Sequence, residues 1–344
     1  MTKSTNDRVR DDMAREPGHN PFFALADRLC IPHVLPEVQN LRRPEDGIVR
    51  LALISMPNVE YSHKEVPWRR KIPSGVDKED VRRTLGAVSD ADSKRMLQAF
   101  RESLKMALKD CGANIVCFSE LGLPSRNAIP LVGAQRIAFE MSCKYNALII
   151  AGTAHDSRTM FNTGYLFHPA EQRATWAFHK NASAHKMHER IMTPARRRVL
   201  IIDAFGLRIA TMICLDVVDY TTLASVMGAG DQVEVILVPS YTKRFEKMQD
   251  VASVASRALP GVVALVNAGL PRVGSAYVAQ CGETIDFPSP PEVLSGGAEV
   301  ALLSLRIDEL KEKRTQAKNE PDPYLDWMFG NRYIPRALEH PQRI

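Results

Sequence analysis

Apolar residues gather between about residues 49 and 307 in short runs that end on polar, proline or glycine positions. VRLALISMP at 49–57 is a run closed by a proline and predicts a buried strand. From Asp90 to Cys111 the period changes. Met96, Leu97, Phe100, Leu104, Ala107 and Leu108 recur at spacings of three and four, which predicts a helix that Gly112 can close. ANIVCFSE at 113–120 predicts a second strand, ending on a carboxylate. A helix over 133–145 and the strand ALIIAGTA at 147–154 follow. Helices between apolar strands are the rhythm of layered α/β sheets.

The rhythm then admits hairpins. NTGYLFHPAEQRATWAFHK at 162–180 holds two strand-like runs about the turn HPAEQ, and RVLIIDAFGLRIATMICLD at 198–216 holds a pair about AFG. A helix over 220–229, the strand VEVILVPS at 233–240, a helix over 245–258 and the strand VVALVNAG at 262–269 come next. YVAQCGETI and AEVALLSLRI finish the series. Residues 58–88 are polar and irregular and predict a long loop. With no linker-like break between 49 and 307, one domain over 48–307 is expected. An N-terminal extension, 1–47, and a C-terminal arm, 308–344, flank it. Prolines at 17, 21, 32 and 36 interrupt the first of these, with room for a short amphipathic helix at FFALADRL, 22–29. Both tails are expected outside the sheets, at least one of them crossing to a partner subunit.

Composition narrows the classes. Of 344 residues, 45% are hydrophobic and 25% charged, as in an ordinary globular protein. No run reaches eighteen apolar residues, and the charged N-terminus has no apolar run behind it, so neither a membrane span nor a secretory signal is expected. The six cysteines are scattered, with no CxxC pair, which favours a reducing cytoplasm over a disulfide framework. A net charge of +5 is too small for a nucleic-acid stripe. Arg196, Arg197 and Arg198, with Arg190 nearby, read as a solvated loop ahead of a strand.

Three residues stand where strands end. Cys214 closes the apolar run GLRIATMIC, Glu120 closes IVCF, and Lys180 closes TWAFHK. Each has a bland explanation of its own: a small core hydrophobe, a structural cap, a strand end facing water. Strand ends are also where sheet proteins mount functional groups. Taken together, FSELGLP, then a hairpin ending in lysine, then GxRIxxxxCxD resemble the nitrilase, or carbon–nitrogen hydrolase, superfamily. The resemblance extends over roughly 49–307. VRLALISM is similar to the family's first strand. The asparagine of NTGYLFHP lies eighteen residues before Lys180, and VILVPS, a helix ending in SRA and VVALVNAG are similar to the segment beyond the nucleophile. Sixty residues separate Glu120 from Lys180, and thirty-four separate Lys180 from Cys214.

The resemblance implies a four-layer α-β-β-α sandwich of two mixed sheets and a catalytic set of Glu120, Lys180 and Cys214. Glu120 is then the general base, Cys214 the nucleophile forming a thioester, and Lys180 the cation at the developing oxyanion. The amide of Leu215 is implied as a second oxyanion donor, and Glu189 as a further glutamate holding the lysine. Lys186, in HKMHE, is the alternative lysine, though Lys180 fits the spacing better. A zinc site among His179, His185 and His188 lacks the usual ligand spacing. No cofactor or metal is implied. The implied reaction is hydrolysis of an amide or N-carbamoyl bond, with water as second substrate, in a homodimer or higher homo-oligomer. Nitrile hydrolysis, acyl transfer, or a non-catalytic interaction protein keeping the fold are the alternatives. Two departures stand out: Leu215 where an aromatic is frequent, and RALPG where RAxEN is frequent.

Overall fold

The computed structural model describes residues 31–35, 41–57, 90–123, 128–155, 161–169, 175–182, 197–219, 222–223, 226, 233–269 and 274–319. Fourteen strands among them form two seven-stranded sheets. The first sheet runs β13 (Glu292–Val293), β14 (Glu299–Arg306), β2 (Ile48–Ser55), β3 (Ile115–Phe118), β4 (Leu148–His155), β5 (Asn162–Phe167) and β6 (Thr175–His179). The second runs β1 (Ile31–Val34), β7 (Arg198–Ala204), β8 (Leu207–Thr211), β9 (Val235–Ser240), β10 (Val262–Asn267), β11 (Ala276–Gln280) and β12 (Glu283–Thr284). In each sheet a parallel centre, β2–β3–β4 or β8–β9–β10, is flanked by antiparallel pairs.

Strand periodicity explains the layers. Leu51, Leu53, Ile115, Cys117, Leu148 and Ile150 of the first sheet pack in one buried cluster with Ile209, Val235, Leu237, Val262, Ala264 and Val266 of the second. Their alternate neighbours Ala52, Ile54, Val116, Phe118, Ile149 and Ala151 turn outward onto α1 (Asp90–Lys105, continued by a π turn over Met106–Asp110) and α2 (Ala128–Tyr145). On the far side Ile236, Val238, Val263 and Leu265 meet α3 (Phe245–Ala258) through Phe245, Met248, Ala252 and Ala255. Strands buried on both faces read as continuous apolar runs, which is how they appear in the sequence. The result is a four-layer α-β-β-α sandwich.

The N-terminal boundary needs correction. Residues 1–47 were expected outside the sheets, yet Ile31–Val34 pairs in parallel with β7, and Leu35 and Leu41 are buried between the sheets. Pro32 allows this because β1 is an edge strand, where a missing N–H breaks no ladder on the open side. At the other end α4 (Ile307–Asn319) lies outside the sheets but is anchored. Leu310 joins the inter-sheet core, and buried Arg314 donates from Nη1 to the Val233 carbonyl at 2.7 Å. Thr222, Leu223 and Val226 are helical, within the span expected over 220–229. The short helix expected at 22–29 and the loop at 58–88 lie outside the described residues.

Candidate functional site

β3 stops at Phe118, and the turn after it carries Glu120. That turn is bound on every side. Glu120 N donates to the Ser240 carbonyl at the end of β9, 3.3 Å, so the two sheets are stitched together at this point. Leu121, in the left-handed region at φ 57°, donates to Thr153 Oγ1 at 3.0 Å, and Leu123 N to the Thr153 carbonyl at 3.2 Å. Thr153 arrives there through an irregularity in β4 between Ile150 and Thr153. Gly152 within it has φ 78°, and a Cβ added there would lie 2.5 Å from the Ser119 carbonyl oxygen, so only glycine permits this approach.

The β5–β6 hairpin brings the lysine. Its register pairs Thr163 with His179, which sets Asn162 against Lys180, and Lys180 N donates to the Asn162 carbonyl at 2.9 Å. Both side chains then converge on the glutamate. Lys180 Nζ donates to Glu120 Oε1 at 2.7 Å, and Asn162 Nδ2 donates to the same oxygen at 2.8 Å. The Lys180 and Glu120 side chains are each only 2% exposed. Burying two charges is expensive, and it persists only with close pairing and further hydrogen bonds, which the asparagine supplies.

The cysteine was expected at a strand end. β8 in fact ends at Thr211, and Cys214 opens a 3-10 turn, Cys214–Val217, that also contains Leu215. Cys214 is buried and has φ 48°, a conformation that L-residues other than glycine rarely adopt and that surrounding contacts must hold. Those contacts centre on Asp216. Its Oδ1 accepts from Asn181 N at 2.8 Å and Ala182 N at 2.7 Å, and its Oδ2 accepts from Ile213 N at 3.2 Å. Asn181 is tied in turn to β7: its Nδ2 donates to the Arg198 carbonyl at 3.0 Å, and its Oδ1 accepts from Arg198 N at 3.2 Å. The turn presenting Cys214 is thereby bonded to the two residues that follow Lys180. Burial pushes the Asp216 carboxyl up to about 7, while the Lys180 charge and the three backbone N–H groups oppose that rise. Tyr241, next to Ser240, has its phenol pushed up by burial and then by the charge of Glu120.

Glu120 and Lys180 thus meet directly, and the turn that carries Cys214 is tied through Asp216 to the backbone just after Lys180. Glu189, Lys186, His185 and His188 lie outside the described residues. Four residues around this cluster carried no assigned role in the sequence. Asn162 served only as a spacing mark, and Asp216 stood as the last letter of CxD. Thr153 and Tyr241 gave no signal, because a bulge and a tertiary approach leave no local pattern. A separate cleft of about 400 Å³ beside α4, with Glu283, Arg306, Glu309 and Lys313 on its walls, contains none of these residues. Among the described residues no three His, Cys, Asp or Glu side chains gather as a metal site, and no helix is long and apolar enough to cross a membrane.

No family model matches the chain, and no curated protein matches it in sequence. Solved structures do match. A carbon–nitrogen hydrolase from Helicobacter pylori is 13% identical with a TM-score of 0.56, covering 83% of this chain and 99% of that one. A mutant amidase from a Nesterenkonia species, with the acetamide moiety of fluoroacetamide added covalently at its active-site cysteine, is 12% identical with a TM-score of 0.55, covering 81% and 98%. A member of branch 10 of the nitrilase superfamily from Saccharomyces cerevisiae is 13% identical with a TM-score of 0.53, covering 82% and 97%. At such identities the likeness establishes the fold: two mixed β-sheets between helices, arranged as in the nitrilase-like sandwich.

Proposed function

We propose that the chain, sharing the fold of the carbon–nitrogen hydrolases, is itself one. It hydrolyses an amide or N-carbamoyl bond through a thioester on Cys214. The observation that carries this reading is the buried contact of Lys180 Nζ with Glu120 Oε1 at 2.7 Å, beside a strained cysteine turn bonded to the segment after Lys180. A buried ion pair is a weak device for stability, since apolar residues of similar volume serve as well or better. Its place where two sheets meet, with the segment after Lys180 bonded to the turn that carries Cys214, is better explained by chemistry.

In this reading Glu120 accepts the Cys214 proton as the sulfur attacks the carbonyl carbon, and delivers it to the departing nitrogen as the C–N bond breaks. Asn162 holds the carboxylate in place for both transfers. Lys180 stays cationic and stabilises the oxyanion of the tetrahedral intermediate, with the Leu215 amide as second donor. Water then attacks the thioester. Glu120 takes its proton, and the acid leaves as the thiol re-forms. Because the three side chains are buried, these charges interact in a low-dielectric surrounding where each is worth more than in water. Glu189 remains the candidate second glutamate beside the lysine, and a homo-oligomer the expected assembly. Ammonia release across small amides, N-carbamoyl amino acids and nitriles tests the reading. Turnover of an amide or N-carbamoyl compound is expected, whereas turnover of nitriles alone, or of nothing in the panel, would overturn it.

A further inference from the structure

Among the described residues Asp216 is the most buried charge-bearing group that the proposed mechanism does not use. Its carboxylate is 1% exposed and is engaged by backbone N–H groups from two separate parts of the chain. Asn181 and Ala182 belong to the segment leaving β6, immediately after Lys180. Ile213 immediately precedes Cys214. A cap confined to its own turn would have needed Ile213 alone. The two donors from 181 and 182 lie thirty-five and thirty-four residues away and belong to the strand end that delivers the cation. The same carboxylate therefore holds the 3-10 turn in which Cys214 keeps its left-handed φ of 48° and fixes that turn against the Lys180 segment. Asn181, bonded both ways to Arg198 at the start of β7, closes the frame on the second sheet.

We propose that Asp216 is a positioning residue: it sets Cys214 and Lys180 in register across the two sheets without touching the substrate. The proposal rests on the reading in which those two residues are catalytic. It has a consequence that a merely structural role would not produce. The charge of Asp216 and its exact reach act on different observables. The negative charge disfavours a nearby thiolate, whereas the reach determines how the sulfur is presented to substrate.

Asp216→Asn keeps the shape, removes the charge, and sets an NH2 against Ile213 N–H or against the two donors on the other side. Asp216→Glu keeps the charge and both acceptor oxygens but lengthens the arm. The test is the pH dependence of Cys214 alkylation by iodoacetamide, followed by peptide mapping, alongside kcat and KM. For the Asn variant, kcat is expected to fall about tenfold or more with KM little changed, while the alkylation midpoint moves down by roughly half a pH unit. The Glu variant is expected to lose kcat comparably with the midpoint at its wild-type position. If the Asn variant does not fold, the Glu variant carries the comparison. Wild-type kcat in either variant, or an Asn midpoint unchanged from wild type, would overturn the proposal. Failure of the underlying reading is seen separately: Cys214→Ala would then retain turnover, while the alkylation profiles would still report whether Asp216 governs that thiol.

Discussion

Replacing Lys180 by methionine keeps the length of the stem and removes the charge. In the native protein Lys180 and Glu120 are each 2% exposed and 2.7 Å apart, so the variant buries a carboxylate without the ammonium that neutralises it. Breaking a buried pair from one side costs about 3–5 kcal/mol, far more than the packing change from lysine to methionine. For a domain of this size each kcal/mol lowers Tm by about 2–4 °C, so a drop of roughly 6–20 °C is expected. Activity should fall further than binding, because the lost charge acts mainly when the oxyanion forms. One such donor is worth about 3 kcal/mol, or somewhat over a hundredfold in kcat. Adding Glu120→Gln removes the second charge as well. The double variant should recover much of the stability and none of the turnover, a coupling that a double-mutant cycle by urea denaturation and initial rates would measure. If Lys180→Met melts with the wild type, losing the ammonium does not strand a buried charge on Glu120. If it also turns over normally, Lys180 is not the cation of the reaction.

Three further outcomes follow from the same contacts. Burial raises the Asp216 carboxyl from 3.8 to about 7, so the folded state holds that proton more tightly than the unfolded chain does. Its contribution to stability is therefore full below about pH 4 and declines as pH rises to about 7, by at most about 4 kcal/mol. Asp216→Asn lacks that decline, and urea denaturation of variant and wild type at several pH values should show the two curves converging or crossing over this window; parallel curves would refute it. Asn162→Ala removes the 2.8 Å bond to Glu120 Oε1, a charge-assisted bond worth about 1.5–3 kcal/mol, and initial rates should show kcat at least about tenfold lower with KM nearly unchanged. Gly152→Ala places a Cβ 2.5 Å from the Ser119 carbonyl at a φ of 78°, and thermal unfolding should show a loss above about 2 kcal/mol; a wild-type Tm would mean that the bulge relaxes freely.

The contrast between Glu120 and Thr153 shows what the sequence makes legible. Glu120 ends an apolar strand, and strand ends can be located from period alone, as can the helix at 245–258, which the structure gives as Phe245–Ala258. Lys180 follows from a hairpin whose turn residues announce it. Thr153 reaches the Glu120 turn only because β4 bulges, and Ile31–Val34 joins a sheet only because β7 lies open beside it. Both are long-range pairings with little trace in local hydrophobic pattern, and a four-residue edge strand containing proline reads as coil. Asp216 falls between the two cases. Its place two residues after Cys214 is visible, but its partners at 181 and 182 come together only when the sheets close. Departures such as Leu215 have a local counterpart in the fold: the residue is half-buried against both the inter-sheet core and the α3 cluster, where an aliphatic side chain fits.

Whether Cys214 carries the acyl group is read by quenching the protein during turnover of an amide and mapping the mass of the peptide that contains residue 214, in parallel with Cys214→Ala. The expected result is an added acyl mass on Cys214 that appears and decays with turnover, and a variant that folds, carries no adduct and releases no ammonia. Ammonia release by Cys214→Ala at the wild-type rate, or an acyl adduct on another residue, would contradict it.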